Sequence, residues 1–252
     1  MRGARIATLA TLSAAGAWAG PAATAIGPLR RPVLPLLSGI GPSLHVALTY
    51  DDGPDPESTP HVLDVLARHG RRATFFVVGE QVRASAAILR RMVAEGHEVA
   101  VHGWTHRCVA LVPPTRLVHQ LAAARTVVED TTGVSPTWYR PPYGVLTGDA
   151  IRACRTLGLT PVLWSAWGRD WIRRTTPERI VATVLATLRP GGTVLLHDTD
   201  RHARGDWGPT LAATDLLLSG ALAEADVGPL AEHGISREPA PARRVPVGRF
   251  AG

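Results

Sequence analysis

Two adjacent acids, Asp51 and Asp52, stand in Thr49-Tyr50-Asp51-Asp52-Gly53-Pro54, directly after the apolar run 44–48. About fifty residues later, His102-Gly103-Trp104-Thr105-His106 brings two imidazoles four positions apart. Two such histidines can converge on one ion, and an oxygen ligand completes a facial set with open positions for water and substrate. The second carboxylate is not explained by packing, because adjacent buried acids repel unless one meets a cation. A carboxylate, two imidazoles and a spare acid suffice to hold a divalent ion and keep a base beside it. Taken singly, each signal has a plainer reading: solvated acids in a Gly-Pro turn, polar loop histidines, and a helix cap at His197-Asp198.

The elements that must carry these residues alternate. Short β-like runs at 44–50, 73–78, 98–101, 137–140, 160–165, 193–197 and 226–230 are separated by amphipathic stretches at 58–69, 81–95, 115–131, 147–157, 177–188 and 210–223. Gly70, Gly96, Gly133 and Gly158 follow helical runs, where a left-handed terminating residue is wanted, and Thr176-Pro177-Glu178 reads as an N-cap with proline at the first helical position. Strand–helix alternation implies a parallel sheet with crossovers. Asp51-Asp52, 102–106, 140–144, 164–171 and His197-Asp198 each follow a strand end. That carboxyl edge is where parallel α/β architectures build their sites. Joint occurrence there outweighs the plainer readings.

The bulk numbers fit this picture. A chain of 252 residues, 45% hydrophobic, with 25 Gly and 21 Pro, suits one loop-rich α/β domain. The net charge of +6 is carried by arginine alone, in doublets at 71–72, 90–91, 173–174 and 243–244. Their scatter argues for solvated faces and against a nucleic-acid stripe. Arg2 and Arg5 precede a modestly apolar stretch 6–18, followed by small-x-small sites at 17–19 and 23–25. That is the order of an export signal, too short and too weakly apolar to favour a permanent span. The expected division is therefore 1–31 signal peptide and flexible connector, 32–235 catalytic domain and 236–252 flexible tail. The expected product is a secreted, extracellular monomer, with cell-wall association possible and no stable membrane insertion after cleavage. Cys108 and Cys154 lack metal-site spacing and could bridge or stay free.

Five motifs in order over about 44–233 resemble the polysaccharide deacetylase family, the NodB-homology domain of carbohydrate esterase family 4. They are Thr49-Tyr50-Asp51-Asp52-Gly53-Pro54, His102-x-x-x-His106, Arg140-Pro141-Pro142-Tyr143-Gly144, Arg169-Asp170-Trp171 and Leu195-Leu196-His197-Asp198. The resemblance implies an α/β fold, a distorted (β/α)7-type barrel. It implies one divalent ion on Asp52, His102 and His106, with Zn²⁺ expected and Co²⁺, Ni²⁺ or Mn²⁺ acceptable. It implies Asp51 as base, held by Arg140, and His197 as acid, oriented by Asp170. The Tyr143 N–H would hold the oxyanion, and Trp171 and Leu196 would line the acetyl pocket. Two positions depart from the family pattern. Gly103 stands where Ser or Thr commonly braces the second histidine, and Trp167 where an acid often begins the fourth motif.

The expected reaction removes N-acetyl groups from GlcNAc polymers of peptidoglycan or chitin type, with O-acetylated xylan or a weakly active sugar-binding relative as alternatives. An amide carbonyl is a poor electrophile, so a metal must polarise it while Asp51 takes a proton from water and His197 gives one to the amine. A metallopeptidase is disfavoured, since no Glu follows His102. A cyclic-amide hydrolase of the same fold is disfavoured by the full Asp-Asp-His-His set. Trp138 and Trp164 could each be core, and His45, His61, His69, His97, His119, His202 and His233 are read as structural or surface residues. The export reading is checked by sequencing the mature amino terminus. It should begin shortly after Ala19 or Ala25, and an intact Met1 on a cytosolic protein would refute export.

Overall fold

The computed structural model describes residues 20–202 and 206–235. Most of the expected export signal and the whole expected tail lie outside the described residues. The strands are β1 (Val46–Asp51), β2 (Thr74–Val77), β3 (Glu98–Val101), β4 (Trp138–Tyr139), β5 (Thr160–Pro161), β6 (Ala166–Trp167), β7 (Thr193–His197) and β8 (Val227–Gly228). The helices are α1 (Gly27–Val33), α2 (Thr59–Arg68), α3 (Gly79–Val82), α4 (Ala86–Ala94), α5 (Pro114–Thr132), α6 (Gly148–Leu157), α7 (Pro177–Thr187) and α8 (Gly208–Ser219). The strands form one 8-stranded sheet in the order β5-β4-β3-β2-β1-β7-β6, with β8 on β1. Every pair is parallel, so the expected α/β distorted barrel is what the chain builds.

β1 is buried along its whole length, and the alternating direction of its side chains sets the two sides of the sheet. Val46, Leu48 and Tyr50 join the layer packed under α2, α4 and α8, together with Leu63, Phe75, Leu89 and Leu217. Ala47 faces inward beside Phe76, Ala100, Trp138 and Val162. Thr49 and Asp51 share that inward side, where both meet Arg140. Tyr50, fully buried, keeps its hydroxyl satisfied by Thr214 at 3.0 Å and stacks on Phe75.

The sheet has one more strand than the seven expected, because the run 160–165 stops at Pro161 and pairing resumes only at Ala166. The intervening carbonyls are taken by side chains. Arg140 binds those of Val162 and Leu163, and Arg30 binds that of Trp164 at 2.6 Å. Leu163 N–H goes to Leu37 O. No ladder joins β5 to β6 among the described residues, since so short a connection cannot make the crossover that a parallel pair needs, and the barrel stays open there. The expected helix 81–95 is also divided. The first turn of α3 donates from Gly79 and Glu80 to the carbonyls of Gly103 and Trp104, whereas α4 turns Leu89 and Met92 into the core. Gly133 and Gly158 end α5 and α6 in left-handed conformations, and Thr176 caps α7, as expected.

The amino-terminal boundary carries structure of its own. Residues 20–33, assigned mainly to signal and connector, form turns and α1, and Arg30 is buried against Ser38, Trp164 O and Thr24 O. Burial, with Arg31 and Arg140 nearby, pushes its pKa down to about 10. Packed structure therefore begins before residue 32. Cys108 and Cys154 are both free. No helix among the described residues is long and apolar enough to cross a membrane.

The period of β7 generates a stability test. Leu196 lies on the helix-facing side with Val194, fully buried, while Leu195 shares the inward side with His197. Leu196→Ala should lower the unfolding free energy by about 2–5 kcal/mol in a urea titration. A midpoint that does not move would put Leu196 outside the core.

Candidate active site

The carboxyl ends of β1, β3, β4, β6 and β7 surround a cavity of about 550 Å³. Its floor holds Asp51, Asp52, His102, His106 and His197, and its walls are Tyr143, Trp164, Trp167 and Trp171. Consecutive strand residues point to opposite faces, so Asp51 and Asp52 could not both reach this cavity on a regular strand. Asp52 leaves the strand at φ 81, which turns its carboxylate back to the same side. An L-residue held there stores strain that its surroundings must sustain. Asp198 supplies the clamp: its Oδ1 accepts from Gly53 N–H at 3.0 Å and its Oδ2 from the Thr59 hydroxyl at 2.5 Å. A Cβ at position 53 would lie 2.1 Å from Asp198 Oδ2, so only glycine fits. Burial, with Asp52 close by, raises the Asp198 pKa to about 7.

Asp51 is 3% exposed and takes the guanidinium of Arg140, Nη1 to Oδ1, at 2.7 Å. Arg140 also donates to Thr49 Oγ1 at 2.8 Å and lies 4.0 Å from the centre of the Phe76 ring. Its own carbonyl accepts from His102 Nδ1 at 2.8 Å, a contact that leaves His102 Nε2 as the free lone pair. Asp52 Oδ1 lies 3.2 Å from both His102 Nε2 and His106 Nε2. Burial works against charge on Asp52, yet the two imidazoles hold its carboxyl well below the usual range.

These three residues fit a metal. Their ligand atoms lie within 4.8 Å of one another, and Asp52 Oδ1 is buried with no hydrogen-bond partner. An oxygen and two nitrogens is a donor set for Zn²⁺, Co²⁺ or Ni²⁺.

On β7, whose register sets His197 opposite Asp51, the imidazole is fixed by Asp170. Asp170 Oδ2 accepts from His197 N–H at 2.7 Å and its Oδ1 pairs with Nδ1 at 3.0 Å. Thr210 donates to the same carboxylate and Trp171 meets the imidazole edge-on. Burial opposes the charge on His197, but Asp170, with help from Asp52 and Asp51, outweighs it and raises the pKa to about 10. The stability linked to this charge is present below the free-imidazole pKa of about 6.5 and is lost as pH rises through the folded value.

Asp51, Asp52, His102, His106, Arg140, Tyr143, Asp170, Trp171 and His197 are thus brought together. Leu196 is the exception: Leu195 lines the cavity in its place, because period 2 along β7 sends Leu196 to the helices. Residues missed from the sequence are Asp198 as clamp and His202, whose ring stacks on His106 at 4.3 Å and 13°. Trp164 proves to be wall and Trp138 core. Only the motif position of Asp198, beside His197, could have signalled its part.

The sequence profile described as polysaccharide deacetylase matches residues 39–162. A chitooligosaccharide deacetylase of Bradyrhizobium sp. (strain ANU 289) is 46% identical over 154 residues, 61% of this chain and 70% of that protein. The peptidoglycan-N-acetylglucosamine deacetylase PgdA of Listeria monocytogenes serotype 1/2a (strain 10403S) is 36% identical over 66% of this chain but only 35% of its own length. Among solved structures, a family 4 acetyl xylan esterase from Clostridium thermocellum, in complex with a cobalt ion, superposes with a TM-score of 0.68 and 33% identity. The match covers 75% of this chain and 89% of that one. Peptidoglycan deacetylase PdaC from Bacillus subtilis gives 0.67 and 28% over 76% and 90%.

The donor set yields a binding test. Zn²⁺ or Co²⁺ added to metal-stripped protein should raise its thermal midpoint. Asp52→Asn, His102→Ala and His106→Ala should each abolish the rise, and unchanged metal content by elemental analysis in all three would overturn the assignment.

Proposed function

The chain belongs to the polysaccharide deacetylase family, and we propose that it is a metal-dependent hydrolase removing N-acetyl groups from GlcNAc-containing polymers. The observation that carries this reading is the pairing of two differently held groups across one cavity. Asp51 is gripped by Arg140, and His197 is gripped by Asp170, on adjacent strand ends. An ion on Asp52, His102 and His106 would supply Lewis acidity toward the acetyl carbonyl and the attacking water.

The chain's own groups then divide the proton work. Asp51, acceptor-only while ionised, takes the proton of the water as it attacks the carbonyl carbon. Arg140 holds the carboxylate in one orientation and leaves Oδ2 for that proton, since its contact is with Oδ1. The Tyr143 backbone N–H is offered to the developing oxyanion from a residue held at φ 61; one such donor is worth about 3 kcal/mol in a transition state. His197 gives its Nε2 proton to the departing amine, with Nδ1 committed to Asp170. Trp171 and Leu195 border the space where an acetyl methyl would lie.

Two relatives named for chitooligosaccharide and peptidoglycan deacetylation favour GlcNAc polymers. The likeness to an acetyl xylan esterase keeps O-acetylated xylan as the second reading. Zn²⁺ is the ion we assign, and export across the cytoplasmic membrane, inferred from the amino-terminal sequence, would bring the enzyme to such polymers.

Acetate release from chitooligosaccharides, peptidoglycan and acetylxylan, with and without chelator, tests the reading. Asp51→Asn should abolish turnover at every pH while metal is retained. The rate should be bell-shaped in pH, and Asp170→Asn should move the alkaline limb to lower pH, because losing the anion lowers the His197 pKa. An alkaline limb that stays in place would mean that His197 takes its charge from elsewhere.

A further inference from the structure

The loop after β6 carries three arginines in six residues, Arg169, Arg173 and Arg174, all exposed. Arg173 lines the cavity, and the Arg169 guanidinium lies 4.7 Å from the centre of the Trp167 ring in its wall. Arg169 and Arg174 hold φ 53 and 59, so the loop turns sharply at both ends of the set.

What distinguishes these arginines from others without a carboxylate partner, such as Arg90 and Arg155, is their place on the loop at the cavity mouth. Among the described residues, Arg68, Arg72, Arg91, Arg140, Arg152 and Arg201 each meet a carboxylate, whereas Arg169, Arg173 and Arg174 meet none. No acid of the cavity is left to neutralise them. Asp51 is taken by Arg140, Asp52 lies between two histidines, and Asp170 is committed to His197. Asp200 and Asp206 line a separate recess with Trp171 and His197, and Asp55 is paired with Arg201. Among the described residues, the mouth beside Trp167 therefore sets exposed arginines against an aromatic wall, with the acids Asp200 and Asp206 kept to the adjoining recess behind Trp171.

We propose that this rim selects a GlcNAc polymer bearing carboxylates near the reacting sugar, as peptidoglycan does on its lactyl groups and peptide stems, over a neutral GlcNAc oligomer. The inference rests on the deacetylase reading of the same cavity. The tryptophans offer apolar faces to the sugar rings, and the guanidinium forks match carboxylates two oxygens at a time. Charges at a rim act mainly on encounter and are weakened by salt, so the preference should shrink as ionic strength rises.

The test compares kcat/KM for acetate release on three substrates of matched length. These are a neutral GlcNAc oligomer, an alternating GlcNAc–MurNAc oligomer, and the latter with its carboxylates reduced to alcohols. The wild-type protein should prefer the carboxylated strand over its reduced form, and added salt should erase the preference. Replacing Arg169, Arg173 and Arg174 together by Gln should lower the carboxylated-to-neutral ratio about tenfold, from a few-fold for each exposed pair. Removing Arg90 and Arg155, exposed on α4 and α6, separates local from net charge. An equal fall in that control, a ratio unmoved by the triple variant, or no preference in the wild type would each overturn the proposal while leaving deacetylation intact. Absence of acetate from all three substrates would sink the deacetylase reading, and this inference with it.

Discussion

The site depends on one buried ion pair, Arg140 with Asp51. Arg140 is wholly inaccessible, and stripping a guanidinium of water costs several kcal/mol unless its donors are met. Here they are met by Asp51, Thr49 Oγ1 and the carbonyls of Val162 and Leu163, with Phe76 beneath the plane. Burial lowers its pKa and Asp51 opposes that shift. The pair therefore ties β1 to β4 and the segment after β5 through one side chain, beside the backbone bond from Val162 N–H to Tyr139 O. Because the Arg140 carbonyl also orients His102, the same residue aims both the proposed base and one proposed metal ligand.

Strain at Asp52 is the complement of that rigidity. A regular strand would have sent Asp52 to the helix side, into an apolar layer where an unpaired carboxylate is costly. The φ of 81 brings it instead to His102 and His106, and Asp198 holds the turn through Gly53 and Thr59. Asp198 is itself a buried acid near Asp52, and its raised pKa reflects the cost of holding a second negative charge beneath these residues. A divalent cation would answer that charge. The arrangement is thus complementary to an ion.

The strand ends were legible from sequence because chemistry and period coincide there. The runs 98–101 and 193–197 match β3 and β7, and the motif residues after them converge as the parallel sheet demands. Contacts made across the sheet were not legible. Nothing local in 160–165 says that two arginines will take its carbonyls, and nothing local to Arg30 says that it will be buried against Trp164. Helix 81–95 has one amphipathic pattern, but its first turn answers to the loop at Gly103. Leu196 was misassigned because a motif carries names along the chain and not faces of the strand. Alternation counted back from His197 would have chosen Leu195.

The two histidines of the metal set are supported differently, and the departure at Gly103 bears on why. His102 has its Nδ1 anchored to Arg140 O, whereas His106 Nδ1 is buried without a partner. Position 103 adopts φ 102, and a Cβ there would lie 3.1 Å from Thr105 O, so a side-chain brace at this residue would carry backbone strain. The His106 ring is held instead by surfaces: Tyr143 meets it edge-on at 4.7 Å and His202 stacks on its face. Stacking fixes the plane of a ring but leaves it free to slide, while a hydrogen bond fixes direction. In the proposed metal set, His102 is therefore the ring fixed in direction, and His106 the one free to adjust. Tyr143 carries both the proposed oxyanion donor and the edge that meets His106, so a shift in that imidazole would be felt at the carbonyl oxygen.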